Sequence, residues 1–335
     1  MPNDLTLLLL AVLALAVLFD YINGFHDTAN AIATSVSTRA LRPEHAILMS
    51  ATANFVGALT GTAVAKTISS GLASTPEGAA GQTIVAAALI GAITWNLITW
   101  RLGIPSSSSH ALIGGLLGAV IVSVGAGAIK LDGVLGKVVL PLVLSPVIGI
   151  VFGFLAMVVI LNLFRHANPR RMNDRFRRLQ VISAALMAFS HGSNDAQKTM
   201  GIMTLALVAA GLLPANAPIP VWVILLAAAA ISLGTAAGGW RIIRTMGQKV
   251  VKLDPVHGFA AETTAATIIL GASQLGMPVS TTHVISSAIM GVGTSHRLSA
   301  VRWGVAGNIV VAWVLTIPAS GLVAAVSYVL ISPFL

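Results

Sequence analysis

The chain has 335 residues, of which 56% are hydrophobic and 9% charged, and its mean hydropathy is +0.91. Soluble domains carry about 25% charged residues, so a chain this poor in charge cannot cover a water-facing surface, and its apolar content excludes intrinsic disorder. It contains no cysteine, which excludes disulfides, thiolate catalysis and Cys-ligated zinc or iron–sulfur sites. The net charge of +9 does not point to nucleic acid, because the basic residues sit in short clusters between apolar segments, as in a polytopic membrane protein.

The N-terminus carries only an acidic charge before the apolar run from Leu5, so it reads as a first transmembrane helix and not as a secretory signal. A spanning helix needs about 20 mostly apolar residues. The candidate segments in chain order are Leu5–Ile22, Ala46–Ile68, Thr83–Trp100, Ala111–Ile129, Val138–Phe164, Val181–Phe189 continued by Thr199–Gly211, Val221–Gly239, Phe259–Leu275, Val284–Gly293 and Trp303–Leu330. Val181–Phe189 and Val284–Gly293 are too short to span alone and adjoin polar motifs with Gly or Pro, which predicts broken or re-entrant helices.

Between Val138–Phe164 and Val181 lies a stretch with six arginines and one aspartate, from Arg165 to Arg178. It is too short for a domain and reads as a basic cytoplasmic linker, explained by topology rather than by a regulator. Fixing it inside puts fifteen of the nineteen basic residues inside; Lys66, Lys130 and Lys137 fall outside and Lys198 falls within a membrane segment. Both termini then lie outside. Trp100, Trp240 and Trp303 each adjoin an arginine, as interfacial anchors do.

The chain also repeats itself. Gly24-Phe25-His26-Asp27 matches Gly192-Ser193-Asn194-Asp195, and Pro105-Ser106-Ser107-Ser108-Ser109-His110 matches Pro278-Val279-Ser280-Thr281-Thr282-His283, at offsets of 168 and 173 residues. The chain therefore divides into a first transmembrane repeat (1–163), the linker (164–178) and a second repeat of opposite orientation (179–335). Inverted repeats are a recurrent architecture of secondary transporters, with the substrate site where the halves meet. The fold expected is an all-α polytopic membrane protein of two inverted repeats, with broken or re-entrant helices meeting at a midplane site.

The motifs divide by chemistry. Charge at bilayer depth costs about 2.5–3.5 kcal/mol on insertion scales unless paired or solvated, so Asp27 and Asp195 are candidate cation sites. Asn23-Gly24 invites a helix break that would add backbone carbonyls to Asn23, Asp27 and Asn30, an oxygen-rich cage suited to sodium. Asp20 has an ordinary reading as an interfacial residue. Lys198 shares a helix face with Asp195: either the two neutralise each other, or Lys198 turns toward an anion. Ser106, Ser107, Ser108 and Ser109, like Ser280, Thr281 and Thr282, precede apolar helices. Capping hydroxyls plus the free N–H groups of a helix start bind oxyanions well. His110 and His283 end these motifs as core histidines, hydroxyl orienters or proton carriers. Glu262 is the one acid in its span and has no counterpart in the first half, where Leu89 stands at the 173-residue offset. Asn54 and Asn96 are weaker polar intrusions that suit interhelical hydrogen bonds.

At these motifs the chain resembles the inorganic phosphate transporter (PiT) family, and its His26-Asp27 form resembles the bacterial low-affinity phosphate permeases. The resemblance extends to Pro105–His110, Pro278–His283 and Ala261-Glu262-Thr263 and covers nearly the whole chain. It implies a secondary active transporter that takes up phosphate with a cation by alternating access, in the cell membrane as a homodimer. It implies no enzyme activity and no cofactor. Phosphate would be held by Ser106–Ser109 and Ser280–Thr282 with Asn194, Gln197 and Lys198, and the cation by Asn23, Asp27, Asn30, Asp195 and Glu262. Four motif histidines, His26, His110, His191 and His283, favour protons over sodium, which would fit Asp27 and Asp195; carriage of phosphate as a metal complex is also implied. A sulfate symporter on the same scaffold, a passive anion channel and an intramembrane phosphatase are the rival readings.

Overall fold

The computed structural model describes residues 2–295 and 297–334; the two terminal residues, Met1 and Leu335, lie outside them. The first part of the chain runs as a long helix α1 (Pro2–Ser37), a bent pair α2 (Pro43–Ala58) and α3 (Ala63–Ser70), a long helix α4 (Ala79–Leu102), and a short helix α5 (Ser108–Val124). A single turn, α6 (Leu131–Val134), then leads to the long helix α7 (Leu140–Leu163). The second part repeats that order: α8 (Pro169–Ala209), a bent pair α9 (Val221–Ala237) and α10 (Trp240–Arg244), then α11 (Pro255–Gln274), the short α12 (Thr281–Thr294) and the long α13 (Trp303–Ile331). The two bends are similar, 69° between α2 and α3 and 61° between α9 and the segment Trp240–Lys249.

Contacts between loops sort the molecule into two ends. At the arginine-rich end Thr245 Oγ1 donates to Gly103 O (2.9 Å), Arg241 to Arg101 O (2.7 Å) and Arg302 N to Val250 O (3.0 Å). At the other end Thr67 Oγ1 donates to Gly276 O (2.7 Å), Lys130 to Ser70 O (2.6 Å) and Lys137 to Leu275 O (2.9 Å). The Thr245–Gly103 and Thr67–Gly276 bonds join equivalent elements at opposite ends, which is the relation an inverted duplication creates. The halves do not sit side by side. The last helix of each part packs on the other part, α13 against α4 and α5, and α7 against α11 and α12.

Small residues allow this interlacing. An added Cβ on Gly118 would overlap the carbonyl of Gly321 on α13, and one on Gly291, its repeat counterpart, would overlap that of Ile150 on α7. Helices in lipid associate through such close backbone approach, since lipid leaves no hydrophobic drive between them. The outer faces of α7 (Val143, Val147, Phe152, Val159) and α13 (Val311, Val314, Leu322, Val326) are exposed and apolar, as a lipid-facing surface must be.

Three expectations need correction. No break occurs at Asn23-Gly24 or between Phe189 and Thr199: α1 and α8 are continuous through both motifs. The glycines serve approach instead of bending. A Cβ on Gly24 would strike Ile231 O of α9, and one on Gly192 would strike Asn54 O of α2. The breaks fall in Ala46–Ile68, interrupted after Ala58, and at the end of Val221–Gly239, interrupted after Ala237. Finally, the basic stretch is not all linker, because Pro169 opens α8 under an Asn168 cap.

Gly118→Ala should displace α13 from α5 and cost about 1–3 kcal/mol, the usual penalty of overpacking. A lowered unfolding temperature in detergent would show it, and an unchanged one would refute so close an approach.

Candidate functional site

The short helices α5 and α12 begin inside the molecule, each after an extended Pro-containing segment. Ser107 caps α5 by accepting from His110 N (3.2 Å), and Ser280 caps α12 by accepting from His283 N (3.2 Å). Each cap satisfies one of the four orphan N–H groups of its first turn. The two starts face each other, with the His110 and His283 rings 4.8 Å apart and His283 stacked on Trp313 at 4.0 Å. Two positive dipole ends thus converge on one buried spot.

Lys198 of α8 reaches the same spot. Its ammonium donates to Asp195 Oδ1 (2.6 Å), to Ser109 Oγ of α5 and to Val279 O (3.0 Å) just before α12. All three protons are engaged, so in this conformation Lys198 ties both short helices to α8 and is not turned to an external anion. Asp195 also lies 3.5 Å from Thr281 Oγ1. On the α1 side, Asn30 donates to Thr282 Oγ1 (2.9 Å) and Thr281 Oγ1 (3.3 Å). Asn30 therefore joins the hydroxyl set instead of a cage around Asp27.

Beside this spot is a titratable cluster. Asp27, His191 and Asp195 each offer a ligand atom, all within 4.8 Å of one another, and all three are buried. His191 Nε2 lies 3.5 Å from Asp195 Oδ2 and 4.0 Å from Asp27 Oδ2. The tautomer follows from the hydrogen-bond chain. Thr235 Oγ1 donates to Ile231 O, so it accepts from Asn54 Nδ2 (2.8 Å). That turns Asn54 Oδ1 to His191 Nδ1 (3.0 Å), which must carry the proton. In the neutral ring, Nε2 then presents a lone pair to two carboxylates, an arrangement that calls for a proton or a metal cation. His26 Nδ1 pairs with Asp27 Oδ1 at 2.5 Å, and its Nε2 meets Thr99 Oγ1 at 3.0 Å; Ser106 donates to Thr99 (2.8 Å).

Other expected site residues stand apart. Gln197 accepts from Val64 N (2.8 Å) and donates to Ser193 O (2.5 Å), holding α3 to α8. Asn194 donates to Ser273 Oγ (2.8 Å) on α11. Ser108 Oγ, both atoms of Asn23 and both ring nitrogens of His283 have no hydrogen-bond partner among the described residues. Glu262 is buried seven residues of α1 away from Asp27, accepting from Thr34, Ser183 and Gln180 Nε2 (3.1 Å). Thr99, Thr235, Val279 and the set around Glu262 escaped sequence reading: single hydroxyls and a carbonyl in apolar runs carry no pattern, although the buried Asn54 was a usable signal.

Comparison with known proteins follows the same lines. The profile of the "Phosphate transporter family" matches residues 23–324. The chain is 49% identical over 328 residues to a "Probable low-affinity inorganic phosphate transporter" of Bacillus subtilis, covering 98% of each chain. It is 50% identical over 322 residues to the protein of the same description from Rhizobium meliloti, covering 96% of each. Among solved structures, "The sodium-dependent phosphate transporter" superposes with a TM-score of 0.91 at 27% identity, covering 98% of this chain and all of that one.

Breaking the central pair should be costly. Lys198→Met and Asp195→Asn each leave one buried group uncompensated and should destabilise by about 3–5 kcal/mol, whereas the double variant should lose less than the sum. Thermal unfolding of the four proteins in detergent measures the cycle, and simple additivity would deny the coupling.

Proposed function

The chain belongs to the phosphate transporter family, and from that premise we propose that it takes up inorganic phosphate together with protons by alternating access. The observation that carries this reading is the pair of capped helix starts facing each other beside Lys198 and the Asp27–His191–Asp195 cluster. Hydroxyls of Ser106–Ser109 and Ser280–Thr282, with free N–H groups of the first turns, suit a tetrahedral oxyanion. Anion arrival would compete with Asp195 for Lys198, releasing α5 and α12 from α8. A positive charge gained at the cluster offsets the cost of burying the anion, which is why the two loads would move together.

Protons are favoured over sodium by the continuity of α1 and α8. Without unwound backbone, no freed carbonyls complete an oxygen cage at Asp27 or Asp195. What faces the centre instead is an imidazole nitrogen, His191 Nε2, between the carboxylates of Asp27 and Asp195. The same three ligands support a second reading in which a divalent metal accompanies the phosphate. Glu262 belongs to the cation path in this proposal. The arginine-rich end faces the cytosol of a cell membrane by the positive-inside rule.

Labelled phosphate uptake into proteoliposomes tests the proposal. Accumulation should follow an inward proton gradient, rise as the outer pH falls, and resist competition by sulfate. Accumulation on sodium alone, mere equilibration, or sulfate as the preferred load would each overturn it. Asp27→Asn should lower proton-driven accumulation at least about tenfold, equivalent to about 1.4 kcal/mol.

A further inference from the structure

Asp20 lies on α1 two turns before Asp27, about 10 Å closer to the end opposite the arginines. It is completely buried, and neither carboxylate oxygen has a hydrogen-bond partner among the described residues. The polar side chains turned toward it are neutral: Thr199 on α8 and Asn23 on its own helix. Both amide atoms of Asn23 and the Thr199 hydroxyl are likewise buried and unpartnered. The register of α1 against α4 adds a third neutral group. His26 meets Thr99, and one turn earlier on each helix stand Asn23 and Asn96, whose amide is buried with neither atom partnered. An isolated buried carboxylate is so costly that the group neutralises instead.

The charged groups around it do not neutralise it. On α8, Asp195 and Lys198 are the neighbours, and Lys198 already donates to Asp195, Ser109 and Val279. On α1 itself His26 and Asp27 are paired with each other, and Tyr21 is partly exposed. Helix α9 has no titratable residue, α4 has only Arg101 at its far end, and α2 has only Glu44 and His45 in its first turn. Three donors converge on Glu262, and none makes so close a bond to Asp20.

We infer that Asp20, within the neutral pocket of Asn23, Asn96 and Thr199, is a proton-binding site separate from the Asp27–His191–Asp195 cluster and set on its outer approach. An O–H bond forms on the Asp20 carboxyl as one breaks in a hydronium ion from the outer side, and it breaks again as the proton bonds to an acceptor atom of the cluster. The inference rests on proton-coupled uptake as proposed above. The site has no twin, since Ala188 occupies the equivalent place in the second half, so it gives the proton path a direction that the repeat alone lacks.

Infrared difference spectroscopy of the purified protein reads the site without transport. The wild type should show the carbonyl stretch of a protonated, water-excluded acid that is lost in Asp20→Asn and shifted in Asp20→Glu. In proteoliposomes Asp20→Asn should lose the dependence of phosphate uptake on outer pH and at least about tenfold of its proton-driven accumulation. A spectrum unchanged by both substitutions, or an Asp20→Asn protein that accumulates phosphate with the wild-type pH profile, overturns the inference. If Asp20→Asn does not fold, an unshifted band in Asp20→Glu overturns it alone. A wild type that shows the Asp20 band but no proton-driven accumulation supports the site and refutes the coupling.

Discussion

The structure depends on one ammonium group. Lys198 sits where water is excluded, and each of its three protons goes to a different part of the molecule: the helix that carries it, the start of α5 and the segment before α12. A buried cation is tolerated only when so fully partnered. That requirement draws two short helices, which cannot cross a membrane themselves, to the centre with their starts together. The hydroxyl motifs, the facing histidines and the cluster around His191 take their places around this tie. Because the tie consists of exchangeable hydrogen bonds and not of packed apolar surface, it is also the point at which an incoming anion would have most effect.

Duplication builds the scaffold, and departures from duplication set up the chemistry. Asn30 stands at the repeat position of Lys198, His26 at that of Asn194 and Asn23 at that of His191. Each pair sits at equivalent points of α1 and α8, yet the members make different bonds: Asn30 reaches the hydroxyls of α12, and Lys198 reaches those of α5. Two buried acids, Asp20 and Glu262, have apolar counterparts, and they lie on opposite sides of the central cluster. A transport cycle needs inside and outside to be distinguishable, and a perfectly symmetric chain would offer no means of distinction.

Much of this was legible in the residues. The paired motifs, their near-constant spacing and the clustering of arginines pointed to an inverted membrane duplication, and the Ser caps of α5 and α12 follow from their positions before apolar helices. The site was only partly legible. Asp27, Asp195, Lys198 and the hydroxyl runs do converge, whereas Gln197 and Asn194 turn to α3 and α11 and Glu262 forms a node of its own. The helix breaks were misread because glycine beside a polar residue has two meanings. It can interrupt a helix, or it can let a neighbour's backbone touch it, and only the position of that neighbour, α9 at Gly24 or α2 at Gly192, distinguishes them.

By itself the sequence determined what local chemistry and counting can determine: a membrane protein, its repeated order, its basic end and the residue types suited to an anion and a cation. Burial cost and charge bias act on each segment separately, so they are readable in one dimension. Tertiary structure alone decided which polar groups are partnered. The His191 tautomer depends on Asn54 and Thr235 from two other helices, the engagement of Lys198 on α5 and the segment before α12, and the isolation of Asp20 on what α4, α8 and α9 fail to offer it. Hydrogen bonds between distant segments are set by register and close approach, and no pattern along a single helix encodes them.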